Sequence, residues 1–196
     1  MWGCMKHKML VTIIGTALLT FTVSPALFAA DAAKPKATIT AEATAQATAD
    51  ARFMDHVIRG GLMKIQAAEI AMGKTKREDV KEFAKGIARD HADVNKNLMT
   101  LADRMKMKLP KDIGDHQAFI GGLKAKTDAD FDRTYVAATV KSYEKCVAMF
   151  EKFSGDTKNA DLKGFADNTL PGLRTHLKNG EVLLATLGGP NGTAAK

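Results

Sequence analysis

Between residues 76 and 107 the apolar residues Val80, Phe83, Ile87, Val94, Leu98, Leu101 and Met105 recur at steps of three, four or seven. Successive helical residues turn by about 100°, so this spacing lines one face of a helix, whereas a strand needs strict alternation. The same spacing returns in two further segments and, less regularly, in a third. Met54, Ile58, Leu62, Ile65 and Met72 mark a helix over about 50–74. Phe131, Tyr135 and Ala138 form one row over 128–153, and Val136, Val140, Tyr143, Val147 and Phe150 form another. Leu162, Phe165, Leu170, Leu173, Leu177, Val182 and Leu184 mark a fourth helix over 160–187. No stretch alternates with period two, so no strand is expected.

The punctuation agrees with four helices. Thr75 with Glu78, and Thr127 with Asp130, have the spacing of capping boxes that open helices two and three. Gly155 is the expected stop of helix three, and Gly188, Gly189 and Pro190 of helix four. Pro171 predicts a kink within helix four. Gly60 and Gly61 weaken helix one but permit a close neighbour or a bend. The longest connection, 108–126, holds Pro110 and a short helical patch, Phe119–Leu123. Amphipathic helices of similar length bury their stripes by packing side by side. The expected fold is all-α: an antiparallel four-helix bundle over 50–188, with an extra short helix between helices two and three.

Residues 1–30 precede this domain and differ from it. A short basic stretch with Lys6 and Lys8 leads into the uncharged run MLVTIIGTALLTFTV, residues 9–23, and then SPALFAA. This is the three-part pattern of a secretory signal peptide, with cleavage expected after Ala29 or Ala30. The alternative is a retained membrane anchor, but the apolar run is shorter than the ~20 residues a span needs. A lipoprotein is disfavoured because Cys4 precedes the apolar run. Residues 31–49, rich in Ala and Thr with Ile39 as the one large apolar residue, are expected to form a flexible tether whose alanines could extend helix one. Residues 189–196 form a polar tail.

After cleavage 27 basic and 22 acidic residues would remain, a surplus that favours anionic partners in the cell envelope. Lys and Glu are mixed along every helix and aromatics are only 6%. Nucleic acid, which calls for a basic face with interleaved aromatics, is therefore not an expected partner. No transmembrane span is expected in the mature protein, and no feature specifies an oligomeric state. Cys146 would be the one remaining cysteine, so an internal disulfide is impossible; its place beside Val147 and Met149 favours a small buried hydrophobe, the alternative being a free thiol in an oxidising compartment.

Four polar residues interrupt the stripes near mid-helix. His91 lies between Ile87 and Val94, His176 three residues after Leu173, Tyr143 between Val140 and Val147, and Lys64 beside Ile65. Antiparallel packing would bring all four to a common level. Lys64 could instead extend outward along its stem, since Ile65 leads the stripe. If it lies inside it must either find an acid or lose its proton, and Asp90 is the nearest candidate acid by helix position.

The stretches GGLMKIQAAEIA, VKEFAKGIARDH, FDRTYVAATVKSYEKCVAMFEKF and LKGFADNTLPGLRTHL resemble the family known as domain of unknown function 4142, over about residues 50–187. The resemblance implies a ferritin-like bundle, export to the periplasm or outer membrane, and no established activity. It also implies a set of metal-binding positions: a Glu on helix one and a His on each of the other three. Asp90, His91 and His176 match that pattern, while Lys64 stands where the Glu is expected and Tyr143 where a His is expected. A cation and a neutral phenol are poor substitutes for metal ligands.

The residues argue independently against a di-iron enzyme. Such sites need two Glu-x-x-His motifs, and the chain has none. Asp55–His56, Asp90–His91 and Asp115–His116 are adjacent pairs that diverge on a helix and do not chelate; His56 and His116 are expected on surfaces or loops. Covalent haem is excluded for want of Cys-x-x-Cys-His, and the ten methionines read as core filler. The expected function is that of an exported, non-enzymatic envelope protein that binds through its surface and needs no cofactor. The alternative is a ferritin-like metal or redox protein with one divalent transition metal on Asp90, His91 and His176, beside the interior polar residues Lys64 and Tyr143.

Overall fold

The computed structural model describes residues 34–188. The expected signal peptide over 1–30 and the tail over 189–196 lie outside them. The described residues fall into two units that meet between Ile39 and Thr40 in the sequence. Five α-helices account for nearly all the described residues: α1 (Lys34–Lys74), α2 (Glu78–Arg104), α3 (Gln117–Ala125), α4 (Asp128–Asp156) and α5 (Ala160–Gly188). A single 3-10 turn, Gly114–His116, leads into α3, and no strand occurs among the described residues.

Helix α1 begins well before residue 50, so residues 34–49 are helical where a flexible tether was expected. The boundary at 50 is one of burial instead. From Ala41 to Ala49 every residue except Gln46 is exposed, and Asp50 is the first buried one. Alanine loses no side-chain entropy in a helix, so a packed helix can extend outward through such a segment without burying it.

The ends of the helices correct three expectations. Glu78 is the first residue of α2, so it cannot reach back as the third position of a capping box. Thr75 instead accepts a hydrogen bond from the Arg77 backbone N–H. Thr127 does occupy the position before α4, but its hydroxyl makes no capping bond. Gly155 does not stop α4, which runs to Asp156 and ends when Thr157 turns extended. The Thr157 hydroxyl accepts the Asn159 N–H, and Asn159 caps α5 through the Leu162 N–H. Helix α2 ends at Arg104 because Lys106 adopts a left-handed backbone, φ 56°. The N–H groups of Lys106 and Met107 then bond back to Asp103 and Ala102, a closure usually built on glycine. Helix α5 is continuous through Pro171.

Helix α5 packs on α4 and α2, and α3 packs on α4. The α1 segment joins them through aromatic side chains: Phe53 stacks on Phe153 and meets Phe150 and Phe165 edge-on. Asp50 is buried there and held by Gln46 Nε2 at 2.7 Å and the Thr157 hydroxyl at 3.1 Å. The core runs from Met54 and Phe131 to Leu162 and Leu183, and it includes Tyr135 and Tyr143 with almost no exposure. Among the described residues no helix is long and apolar enough to cross a membrane.

Candidate functional site

The polar residues that break the apolar stripes gather in one place. Lys64, His91, Tyr143 and His176 are all buried, with Lys64 only 5% exposed. Helix α2 supplies His91, one turn after Ile87, and its Nε2 shares a 2.9 Å hydrogen bond with the Tyr143 hydroxyl of α4. The ring of His176 on α5 lies face-on to both, with centroids 5.4 Å from Tyr143 and 6.5 Å from His91. Its Nε2–H donates to Asp90 at 2.9 Å, and the other Asp90 oxygen accepts from Arg89 at 2.9 Å.

Asp90 is thus engaged by His176 and Arg89, and it is not the partner of Lys64. The Lys64 ammonium lies 3.4 Å from the Cys146 sulfur and 5.5 Å from the centre of the Tyr143 ring. Among the described residues no carboxylate lies within 4 Å of it. Burial, then the charges of Lys64 and His176, hold the His91 pKa well below its usual value, so this imidazole stays neutral. Burial likewise pushes the Tyr143 phenol well above its usual range, so it remains a neutral O–H.

Lys64, His91 and Cys146 form part of the wall of a cavity of about 420 Å³, a size typical of small-molecule sites. Its apolar lining includes Val57, Met63, Ala67, Ile87, Phe150 and Leu173. Two residues of the wall carry a buried polar atom without a well-formed hydrogen bond: His91 at Nδ1, and Tyr135 at its hydroxyl beside Thr139. His56 is exposed and His116 half-buried, and both belong to the lining, their rings 6.5 Å apart. Burial, then His56 and Lys64, lower the His116 pKa.

The cavity brings in residues that the sequence reading did not count as site residues, chiefly Tyr135, Thr139 and Cys146. Their spacing held a signal: 135, 139, 143 and 146 follow the three-four rule and share one face of α4 with Tyr143. Cys146 is a free, half-buried thiol. Among the described residues no three of His, Cys, Asp and Glu come together in a way that could hold a metal ion. Asp90, His91 and His176 are neighbours, but the facing nitrogens of the two rings are committed to Asp90 and Tyr143.

Two solved structures share this fold. One is the crystal structure of a DUF305 fragment from Deinococcus radiodurans, 14% identical, with a TM-score of 0.63 over 70% of this chain and 96% of that one. The other is CopM in the Cu(I)-bound form, 19% identical, with a TM-score of 0.60 over 71% of this chain and 98% of that one. No curated protein matches the sequence. The family model of a domain of unknown function, DUF4142, matches residues 35–183, and with three-quarters of its length inside that model the chain belongs to the DUF4142 family.

Proposed function

We propose that this chain is a non-enzymatic protein of the cell envelope that acts by binding, and that its binding site is the cavity among its helices. The observation that carries this reading is the 420 Å³ cavity itself, largely apolar but with a few converging polar groups. The export pattern over residues 1–30 supports an envelope location. The binding role expected from the sequence is kept; its place moves from the surface to the interior. We also read the four long helices as an antiparallel bundle of ferritin-like type. The three-residue connections 75–77 and 157–159 support that reading, because short links make packed neighbours antiparallel.

The test is competition for an apolar fluorescent probe. Ala138 lines the cavity and is half-buried, so Ala138→Phe should obstruct the space with little damage to the core. The parent should take up the probe saturably and the variant should lose most of that affinity. Equal uptake by both would contradict the reading.

A second reading, a single transition metal on Asp90, His91 and His176, draws support from the closeness of the three side chains. Copper(I), the ion named for CopM, fits this set poorly, because it prefers sulfur and imidazole to a carboxylate. It fits Cys146 no better, since the Lys64 ammonium stands 3.4 Å from that sulfur. A divalent ion such as zinc would suit the set better but would have to draw His91 away from Tyr143. Metal analysis of the purified protein, with and without His91→Ala and His176→Ala together, separates the two readings.

A further inference from the structure

The cavity wall carries several nitrogen bases. Lys64, His91, Lys141, Lys145, His56 and His116 all belong to it, and among the described residues no Asp or Glu does. The bases are arranged in depth. Lys141 and Lys145 are exposed at the outside, whereas Lys64 is buried, with only a thiol and an aromatic face beside it. An ammonium taken out of water without a counter-ion is costly, and ordinarily a carboxylate of the protein offsets that cost. None does so here. His91 and Tyr135, whose Nδ1 and hydroxyl are buried without a well-formed hydrogen bond, belong to the same wall. The Tyr135 hydroxyl can donate to an acceptor, and so can His91 Nδ1 in the tautomer whose Nε2 accepts from the Tyr143 hydroxyl.

We infer that the cavity takes an anionic amphiphile: a single carboxylate head on the Lys64 ammonium, with an unbranched hydrocarbon body along Met63, Ala67, Ile87 and Phe150. This deepens the binding reading above and rests on it. The head carries one charge because one buried ammonium can neutralise one; a dianionic phosphate would leave an excess charge among apolar walls. The apolar body follows from those walls, whose burial of hydrocarbon supplies affinity in proportion to area. Lys141 and Lys145 raise the local concentration of anions at the outside. The medium-chain fatty acids have this chemistry.

The experiment is calorimetric titration of the purified protein with decanoate, below its micelle concentration, and with 1-decanol as the uncharged counterpart. Decanoate is expected to bind one to one and about ten-fold or more tighter than decanol. Lys64→Met should remove that advantage while leaving decanol unchanged, and Lys64→Arg should keep most of it. Should the Met variant fail to fold, Lys141→Ser with Lys145→Ser, both at exposed positions, should weaken decanoate and its salt dependence but not decanol. Decanol binding as tightly as decanoate in the parent, or undiminished decanoate binding in Lys64→Met, would overturn the anionic head while leaving the cavity as a binding site. Failure of both molecules to bind would overturn the cavity reading as well.

Discussion

The Lys64 ammonium on α1 and the Cys146 thiol on α4 face each other at 3.4 Å, and no carboxylate of the described residues comes within 4 Å of that ammonium. A weak sulfur acceptor and the face of Tyr143 are the partners that touch this buried cation among the described residues. Such an arrangement costs folding free energy, and sites that await a ligand are where such costs are tolerated.

Lys64→Met is therefore expected to stabilise the unliganded protein by about 1–3 kcal/mol, because a side chain of similar length replaces an unpaired buried charge. Urea unfolding at neutral pH measures it. A loss of stability of similar size would show that Lys64 is a structural anchor.

Gly61 on α1 meets Asn95 on α2 so closely that a β-carbon at Gly61 would overlap the Asn95 amide oxygen and stand 2.9 Å from its amide carbon. Gly61→Ala should destabilise by about 1–3 kcal/mol, the usual cost of overpacking, despite the better helix propensity of alanine. Adding Asn95→Ala should recover most of that loss. A double-mutant cycle reads the coupling, and strictly additive effects would mean that the contact is not the cause.

His91 gives the stability a pH dependence whose sign can be worked out. Its pKa is held below the usual value of 6.5 in the folded protein and returns towards that value on unfolding. Above pH 6.5 both states are neutral and the residue contributes no slope. Below it the unfolded chain takes up a proton that the folded chain refuses, so stability falls with pH at up to about 1.4 kcal/mol per unit. His116, also lowered, adds to the same trend. Burial, Lys64 on α1 and His176 on α5 keep the environment of His91 unfavourable to a positive charge, while Asp90 is engaged by His176 and Tyr143 of α4 takes up the His91 Nε2. Unfolding curves between about pH 7 and 5 should flatten in His91→Gln relative to the parent. An unchanged slope would assign the effect elsewhere.

Asp50 ties α1 to the turn between α4 and α5 through the Thr157 hydroxyl. Thr157→Val keeps the shape, removes one of two donors to a buried carboxylate, and deprives the Asn159 N–H of its acceptor. A loss of about 1–3 kcal/mol is expected, measured by thermal or urea unfolding. A neutral result would mean that Gln46 and solvent suffice.

Much of this fold was legible in the sequence, and the reasons are local. The stripe from Val80 to Met105 can only be one face of a helix, and α2 occupies Glu78–Arg104. The failures fall where local signals compete. Thr75 and Glu78 have the spacing of a capping box, but the helix starts at Glu78 itself. Gly155 reads as a stop, yet the α4 backbone runs past it. Residues 34–49 lack apolar side chains other than Ile39 and small alanines, which says that they are not buried; it does not say that they are not helical. Lys64, His91, Tyr143 and His176 could be named as stripe-breakers from one helix at a time. The cavity could not, because its wall is drawn from α1, α2, α4 and α5 at once, and empty space has no spacing rule.

The central claim, that a ligand enters the helices beside Lys64, is tested most directly by the methionine methyl groups. Met63 and Met149 line the cavity, whereas Met99 lies on the surface, 49% exposed. With methyl-labelled methionine, titration with decanoate should shift the Met63 and Met149 resonances saturably and together, and leave that of Met99 in place. Movement of Met99 without the other two, or no saturable movement of any, would contradict the claim.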